Sequence, residues 1–179
     1  MAMEIKRAGK ADLAAIATLM ARSIRELQRG FLDDRQIAAS FDIMGLDSQL
    51  IDDGTYFVVT DAAALIGCGG WSRRATLYGG DDAAVRDARL LDPATEPARI
   101  RAMYTAPGHA RRGVGRLVLA TCEAAASAEG FGRAELVATL SGEPLYRACG
   151  YTLVEAIVAS TRGDAGIPVK RMAKDLGPV

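Results

Sequence analysis

The chain is poor in the residues that build metal centres and cross-links. It has a single histidine, His109, which excludes a multi-histidine metal site, and three cysteines, Cys68, Cys122 and Cys149. These fit no metal-ligand spacing and no even disulfide framework, so they read as reduced thiols of a cytoplasmic protein. Cys122 lies among apolar neighbours in a helical pattern and reads as a small core residue. Excess charge is also missing, since 22 Lys and Arg balance 22 Asp and Glu. Without a global field, nucleic acid is not an expected partner, and any basic site must be local. No apolar run is long enough to span a bilayer, and the first residues hold no apolar signal segment, so no membrane partner is expected. Repeats, low-complexity tracts and linkers are absent as well. Half of the 179 residues are hydrophobic, which suits one domain over 1–179 with a real core.

What is there alternates between two periods. Glu4 to Ala8 reads as a short strand. Lys10 to Leu27 carries Leu13, Ile16, Ala17, Met20, Ile24 and Leu27 on one helix face. Asp33 opens a second helix through Phe41, and Met44 to Asp53 holds a short one. Thr55 to Thr60 and Leu65 to Trp71 read as a hairpin turning at Ala62-Ala63, with Gly67, Gly69 and Gly70 marking a bulge or a close backbone approach. Thr76 to Pro97 is polar and reads as a surface loop with a helical turn near Ala83 to Arg89. Arg99 to Thr105 is a strand, Gly113 to Glu129 a long helix stopped by Gly130, and Ala134 to Thr139 a strand. A short helix, Gly142 to Cys149, follows, and then two last strands, Tyr151 to Ser160 and Val169 to Leu176.

The junction Ala110-Arg111-Arg112-Gly113-Val114-Gly115-Arg116 carries the chemistry. A strand ending in a basic, glycine-containing loop at a helix N-terminus holds phosphates. The free amides donate, the dipole favours negative charge, and glycine admits the ligand to the backbone. A P-loop is excluded, because no Gly-Lys-Ser/Thr follows. A dinucleotide-binding fingerprint is also poor: Val118 stands where its third glycine belongs, although Glu135 falls about 20 residues on.

A second stretch, Leu145-Tyr146-Arg147-Ala148-Cys149-Gly150-Tyr151, narrows the reading. By pattern alone Tyr146 is a half-buried packing residue. Gly113-Val114-Gly115 at the start of the central helix, followed by Tyr146 and Gly150-Tyr151, resembles the GNAT superfamily of acyl-CoA-dependent N-acyltransferases. The order of elements fits the same family. The resemblance spans nearly the whole chain and is strongest from Arg99 to Glu155.

The resemblance implies an α+β, three-layer α/β/α fold with a central mixed, mostly antiparallel sheet flanked by helices. It implies an N-acetyltransferase that uses acetyl-CoA, without a metal, on a primary amine of a small molecule or peptide. Pyrophosphate would sit on the amides of Arg111, Arg112, Gly113, Val114, Gly115 and Arg116. Pantetheine would run beside Met103, Tyr104 and Thr105, and Tyr146 would be the general acid. The acceptor is expected between the first helices and the hairpin, walled by Ser23, Leu27, Phe31, Trp71 and Arg73; Trp71 reads equally as core, and Arg73-Arg74 as a solvated pair. Three departures stand out. Ala110 replaces the usual Gln or Arg, Thr139 replaces an Asn, and no Glu lies on the strand from Arg99, so the general base is unassigned. Histidine is a side-chain type suited to that role, but His109 sits beside the phosphate loop, where a solvent or phosphate contact is the expected one. A non-catalytic acyl-CoA sensor of the same fold is the alternative, and a homodimer through the hairpin or last strands is open.

Overall fold

A seven-stranded sheet organises the chain. In the computed structural model, which describes residues 2–84 and 86–177, the strands run β1 (Met3–Arg7), β2 (Tyr56–Asp61), β3 (Ala64–Ser72), β4 (Ala98–Thr105), β5 (Arg133–Thr139), β6 (Thr152–Ala159) and β7 (Ile167–Asp175). Their spatial order is β1-β2-β3-β4-β5-β7-β6. Every neighbouring pair is antiparallel except β4 and β5. A parallel pair needs a crossover, and the long helix α4 (Val114–Ala128) supplies it. The remaining helices are α1 (Leu13–Leu27), α2 (Asp34–Ser40), α3 (Ser48–Asp52) and α5 (Glu143–Ala148). This is the mixed, mostly antiparallel α+β sheet flanked by helices that the sequence implied.

The glycines of β3 set how closely α4 can approach. A Cβ on Gly67 would meet Val114 Cγ1 at 2.2 Å, and one on Gly69 would meet Val118 Cγ1 at 2.8 Å. The register also shifts between Cys68 and Gly70, so these glycines serve both the close approach and the bulge. A helix seated this tightly leaves no room for added methyls, and overpacking costs ~1–3 kcal/mol. Gly67→Ala should therefore lower the thermal midpoint measurably, and calorimetry that found it unchanged would contradict this packing.

The sheet opens between β4 and β5. The β4–β5 ladder consists of Ala98↔Ala134 and Arg99↔Glu135. Beyond it the strands diverge while β5 stays fully paired with β7, so the far half of β4 has a free backbone edge. Ala102 sits at the divergence with φ of +49°, a left-handed conformation that L side chains seldom adopt. The Tyr56 hydroxyl donates to its carbonyl at 2.7 Å and holds the bend. The core divides at the same place. A large cluster spans α1, α4 and strands β2 to β5. A smaller one joins Leu32 and Ile37 to Ala159, Ile167 and Val169 on the β6–β7 hairpin. Gln36 Nε2 donating to the Gly166 carbonyl at 3.0 Å and an Arg35–Asp164 ion pair tie α2 to that hairpin.

Local readings need three corrections. Lys10 to Asp12 is a tight 3-10 turn preceding α1. The helix expected within Met44 to Asp53 is confined to Ser48–Asp52, capped by Asp47, whose carboxylate accepts from the Gln49 amide at 3.2 Å. The segment from Thr76 is a folded-back loop, cross-tied by Thr76 N to the Asp87 carbonyl at 2.9 Å and Leu91 N to the Arg73 carbonyl at 2.8 Å. The helical turn expected near Ala83 to Arg89 does not form among the described residues there; Val85 lies outside them.

Candidate functional site

A cavity of about 680 Å³ fills the gap where β4 and β5 separate. One end is the loop entering α4. Its first internal bond is Leu117 N to the Gly113 carbonyl at 3.0 Å, and the amides of Arg111 through Arg116 donate to no backbone carbonyl among the described residues. Arg111 at φ +65° and Gly113 at φ +88° turn the chain so that this run of amides forms a concave surface. Arg111, Arg112 and Arg116 enter no ion pair among the described residues, unlike Arg99, Arg133 and Arg147. Free amides, a helix N-terminus and uncommitted guanidinium groups together suit a polyphosphate. Gly115 is fixed by packing, since a Cβ there would meet Leu145 Cδ2 of α5 at 2.7 Å.

The middle of the cavity is the free edge of β4, from Arg101 to Thr105. An amide-bearing pantetheine arm can pair with such an edge as an added strand does. Across from it stand Leu136, Val137 and Thr139 of β5. Thr139 Oγ1 accepts from the Gly142 amide at 3.1 Å and lies 3.1 Å from Ser141 Oγ, so this residue ties down the turn that leads into α5 while facing the cavity.

Tyr146 lies on α5 at the cavity wall, its ring edge-on to Tyr151 with centroids 5.9 Å apart. Its hydroxyl bonds to none of the described residues, and burial pushes its pKa well up. The phenol therefore stays protonated at neutral pH and can act as a donor. The two buried thiols are unsuited to attack: burial pushes Cys68 up to about 12 and raises Cys122 as well. Among the described residues no group of three or more His, Cys, Asp or Glu is arranged to hold a metal ion.

The far end holds Ser23, Leu27 and Phe31, which the sequence placed on an acceptor wall, together with Gln28, Ile43, Met44, Leu77 and Tyr78. Trp71 and Arg73 are not there. Trp71 is buried in the main core against Phe131, with centroids 5.8 Å apart. Arg73 stacks over Trp71 and grips Glu129 with two bonds, at 2.8 and 2.7 Å. Trp71 is the next-to-last residue of β3 and Arg73 follows its end, so a strand-end aromatic and its neighbouring cation serve packing.

Sequence reasoning missed Arg101 and its partners. Arg101 is almost fully buried at the cavity floor, bonded to Asp47 Oδ2 at 2.9 Å and to the carbonyls of Thr76 and Gly79. Arg86 reaches the other oxygen of Asp47 at 2.9 Å. Two arginines, Arg99 and Arg101, set two residues apart in a mostly apolar strand were the available signal.

The comparisons agree with this geometry. The family model for the Acetyltransferase (GNAT) domain matches residues 52–153, more than half of the chain, and the chain belongs to that family of acyltransferases. Among solved structures it is similar to a GCN5-related N-acetyltransferase from Rhodopseudomonas palustris, at 18% identity with 98% of each chain covered and a TM-score of 0.70. It is also similar to a phosphinothricin acetyltransferase from Sinorhizobium meliloti in complex with acetyl-CoA, at 20% identity, 99% of this chain and 90% of that one, with a TM-score of 0.65. A third is the PaiA N-acetyltransferase from Thermoplasma acidophilum in complex with coenzyme A, at 12% identity, 98% and 99% coverage and a TM-score of 0.66. No curated protein matches the chain.

Proposed function

We propose that the protein transfers an acetyl group from acetyl-CoA to a primary amine by direct attack. The observation that carries this reading is a continuous track. Unbonded amides from Arg111 to Arg116 lead along the open edge of β4 to the Tyr146 hydroxyl, and then to the apolar far end of the same cavity. The first part fits a pyrophosphate, the second a pantetheine arm, and the far end an acceptor. Acetyl-CoA supplies an activated thioester.

The protein's residues orient the reactants and handle protons. An amide on β4 at Met103 or Tyr104 polarises the thioester carbonyl. The acceptor must attack as the neutral amine, although a lysine-like ammonium of pKa about 10.4 is mostly charged at pH 7. As the N–C bond forms and the C–S bond breaks, nitrogen loses one proton and sulfur gains one. Tyr146 delivers that proton to sulfur. Among the described residues no carboxylate lines the cavity, so the nitrogen's proton leaves through water, with His109 at the cavity rim the nearest imidazole.

The test is release of coenzyme A thiol from acetyl-CoA across an amine panel. Steady amine-dependent release supports the reading. Tight acetyl-CoA binding with no release for any amine would establish the non-catalytic sensor instead. The donor end has its own prediction. Reversing charge at Arg111→Glu and Arg112→Glu together should raise the KM for acetyl-CoA at least about tenfold, the loss of roughly one charge-assisted contact. The kcat should change little. An unchanged KM would remove these side chains from donor binding.

A further inference from the structure

We infer that the acceptor is a primary monoamine with an apolar body, and that di- and polyamines are excluded; this rests on the amine-acetylating reading above. The acceptor end is walled by Leu27, Phe31, Ile43, Met44, Leu77 and Tyr78. Polar side-chain atoms there are those of Ser23 and Gln28 and the Tyr78 hydroxyl, all uncharged, and Gln28 already points its amide at Met44 sulfur, 3.5 Å away. No carboxylate or lysine lines the cavity among the described residues.

The floor adds charge of the wrong sign for a polycation. Asp47 accepts from Arg101 and Arg86 together, so one carboxylate serves two guanidinium groups and the cluster remains net positive. Asp47 itself is buried behind Arg101 and has no oxygen left for a ligand. The nearby Asp42 is turned outward, accepting from the Arg162 amide at 2.8 Å. A second ammonium carried into this chamber would lose its hydration and find a cation facing it, a desolvation that nothing offsets. An alkyl or aryl body in the same place displaces water from apolar walls. The chamber thus selects by what lies beyond the reacting nitrogen, not by the nitrogen.

The discriminating pair is 1-aminohexane and 1,6-diaminohexane, which differ only in a terminal methyl against an aminomethyl group. The kcat/KM for the monoamine should exceed that for the diamine by at least about thirtyfold, given the cost of an unpaired buried charge. Phe31→Glu tests the cause. Phe31 is 51% exposed, so the fold tolerates the change. The new carboxylate should shrink the ratio at least about tenfold, whatever happens to the absolute rate. A diamine used as well as or better than the monoamine by the unaltered protein overturns the inference and leaves acetyl transfer standing. So does a ratio that Phe31→Glu leaves unchanged. Acetyl-CoA binding without thiol release for either amine, or for any other, removes the amine-acceptor reading on which the inference rests.

Discussion

Replacing Asp47 by alanine should cost about 3–5 kcal/mol of folding stability, the range for removing one partner of a buried ion pair. That is a large part of the ~5–15 kcal/mol that holds a typical domain together. The reason is geometric. Both oxygens of Asp47 are engaged, one with Arg101 at 2.9 Å and the other with Arg86 at 2.9 Å and the Gln49 amide at 3.2 Å. Removing the carboxylate leaves Arg101 charged, desolvated and bonded only to carbonyls; burial already lowers its pKa, and the Asp47 charge is what opposes that shift. The cap of α3 disappears with it. Urea unfolding would measure the loss. The double variant Asp47→Ala/Arg101→Leu should be more stable than the sum of the single losses, by at least about 1 kcal/mol of coupling. Additive losses would mean that the pair contributes nothing beyond packing. The damage has a functional side. Arg101 holds the carbonyls of Thr76 and Gly79, which fix the loop bearing Leu77 and Tyr78. The KM for the amine should accordingly rise more than the KM for acetyl-CoA.

This cluster also marks where the sequence stopped being readable. Elements whose cause is local were legible. α4 begins after Gly113 and ends before Gly130, both at positive φ, so glycine punctuates it at both ends. The phosphate loop announced itself through arginines and glycines within seven residues. The partners of Asp47 and Arg73 are not local: Arg101 lies 54 residues from Asp47, and Glu129 lies 56 residues from Arg73. A pattern with a period of two or 3.6 residues carries no information about such pairs. Arg73 looked like a solvated or acceptor-facing cation because nothing near it in sequence could neutralise it. The split between β4 and β5 was hidden for a related reason. It depends on how much of β4 pairs with a strand formed after a whole helix has intervened, and on one alanine, Ala102, forced into a left-handed conformation that its sequence neighbours do not request. The acceptor wall was half legible for the same cause, since Ser23, Leu27 and Phe31 follow from the helical face of α1 and its exit, whereas Met44 and Tyr78 come from irregular loops.

Tyr146→Phe should lower kcat at least tenfold, equivalent to about 1.4 kcal/mol of barrier, and leave both the fold and acetyl-CoA binding intact. The phenyl ring keeps its edge-on contact with Tyr151 and its position against Gly142. The lost hydroxyl bonds to none of the described residues, so its removal strands no partner, and the thermal midpoint should move little. What changes is the proton supply to the departing sulfur. Burial raises the Tyr146 pKa, and this has two consequences of opposite sense. The phenol is protonated across the working range, so no fraction of enzyme is idle for want of the acid. It is also a reluctant acid, so it yields its proton only as charge builds on sulfur and the C–S bond breaks. The pH profile follows. The rate should climb from neutral pH as the acceptor amine loses its proton, with an ordinary value near 10.4 for an alkylamine. No descending limb from Tyr146 should appear below about pH 10, because the raised phenol stays protonated there. In Tyr146→Phe the ascending limb should keep its midpoint while the plateau drops. A fall in kcat below pH 9 in the unaltered protein, or full turnover in the phenylalanine variant, would assign the proton to another donor. Water entering at the cavity mouth would then be the alternative, and the variant's solvent isotope effect would distinguish it.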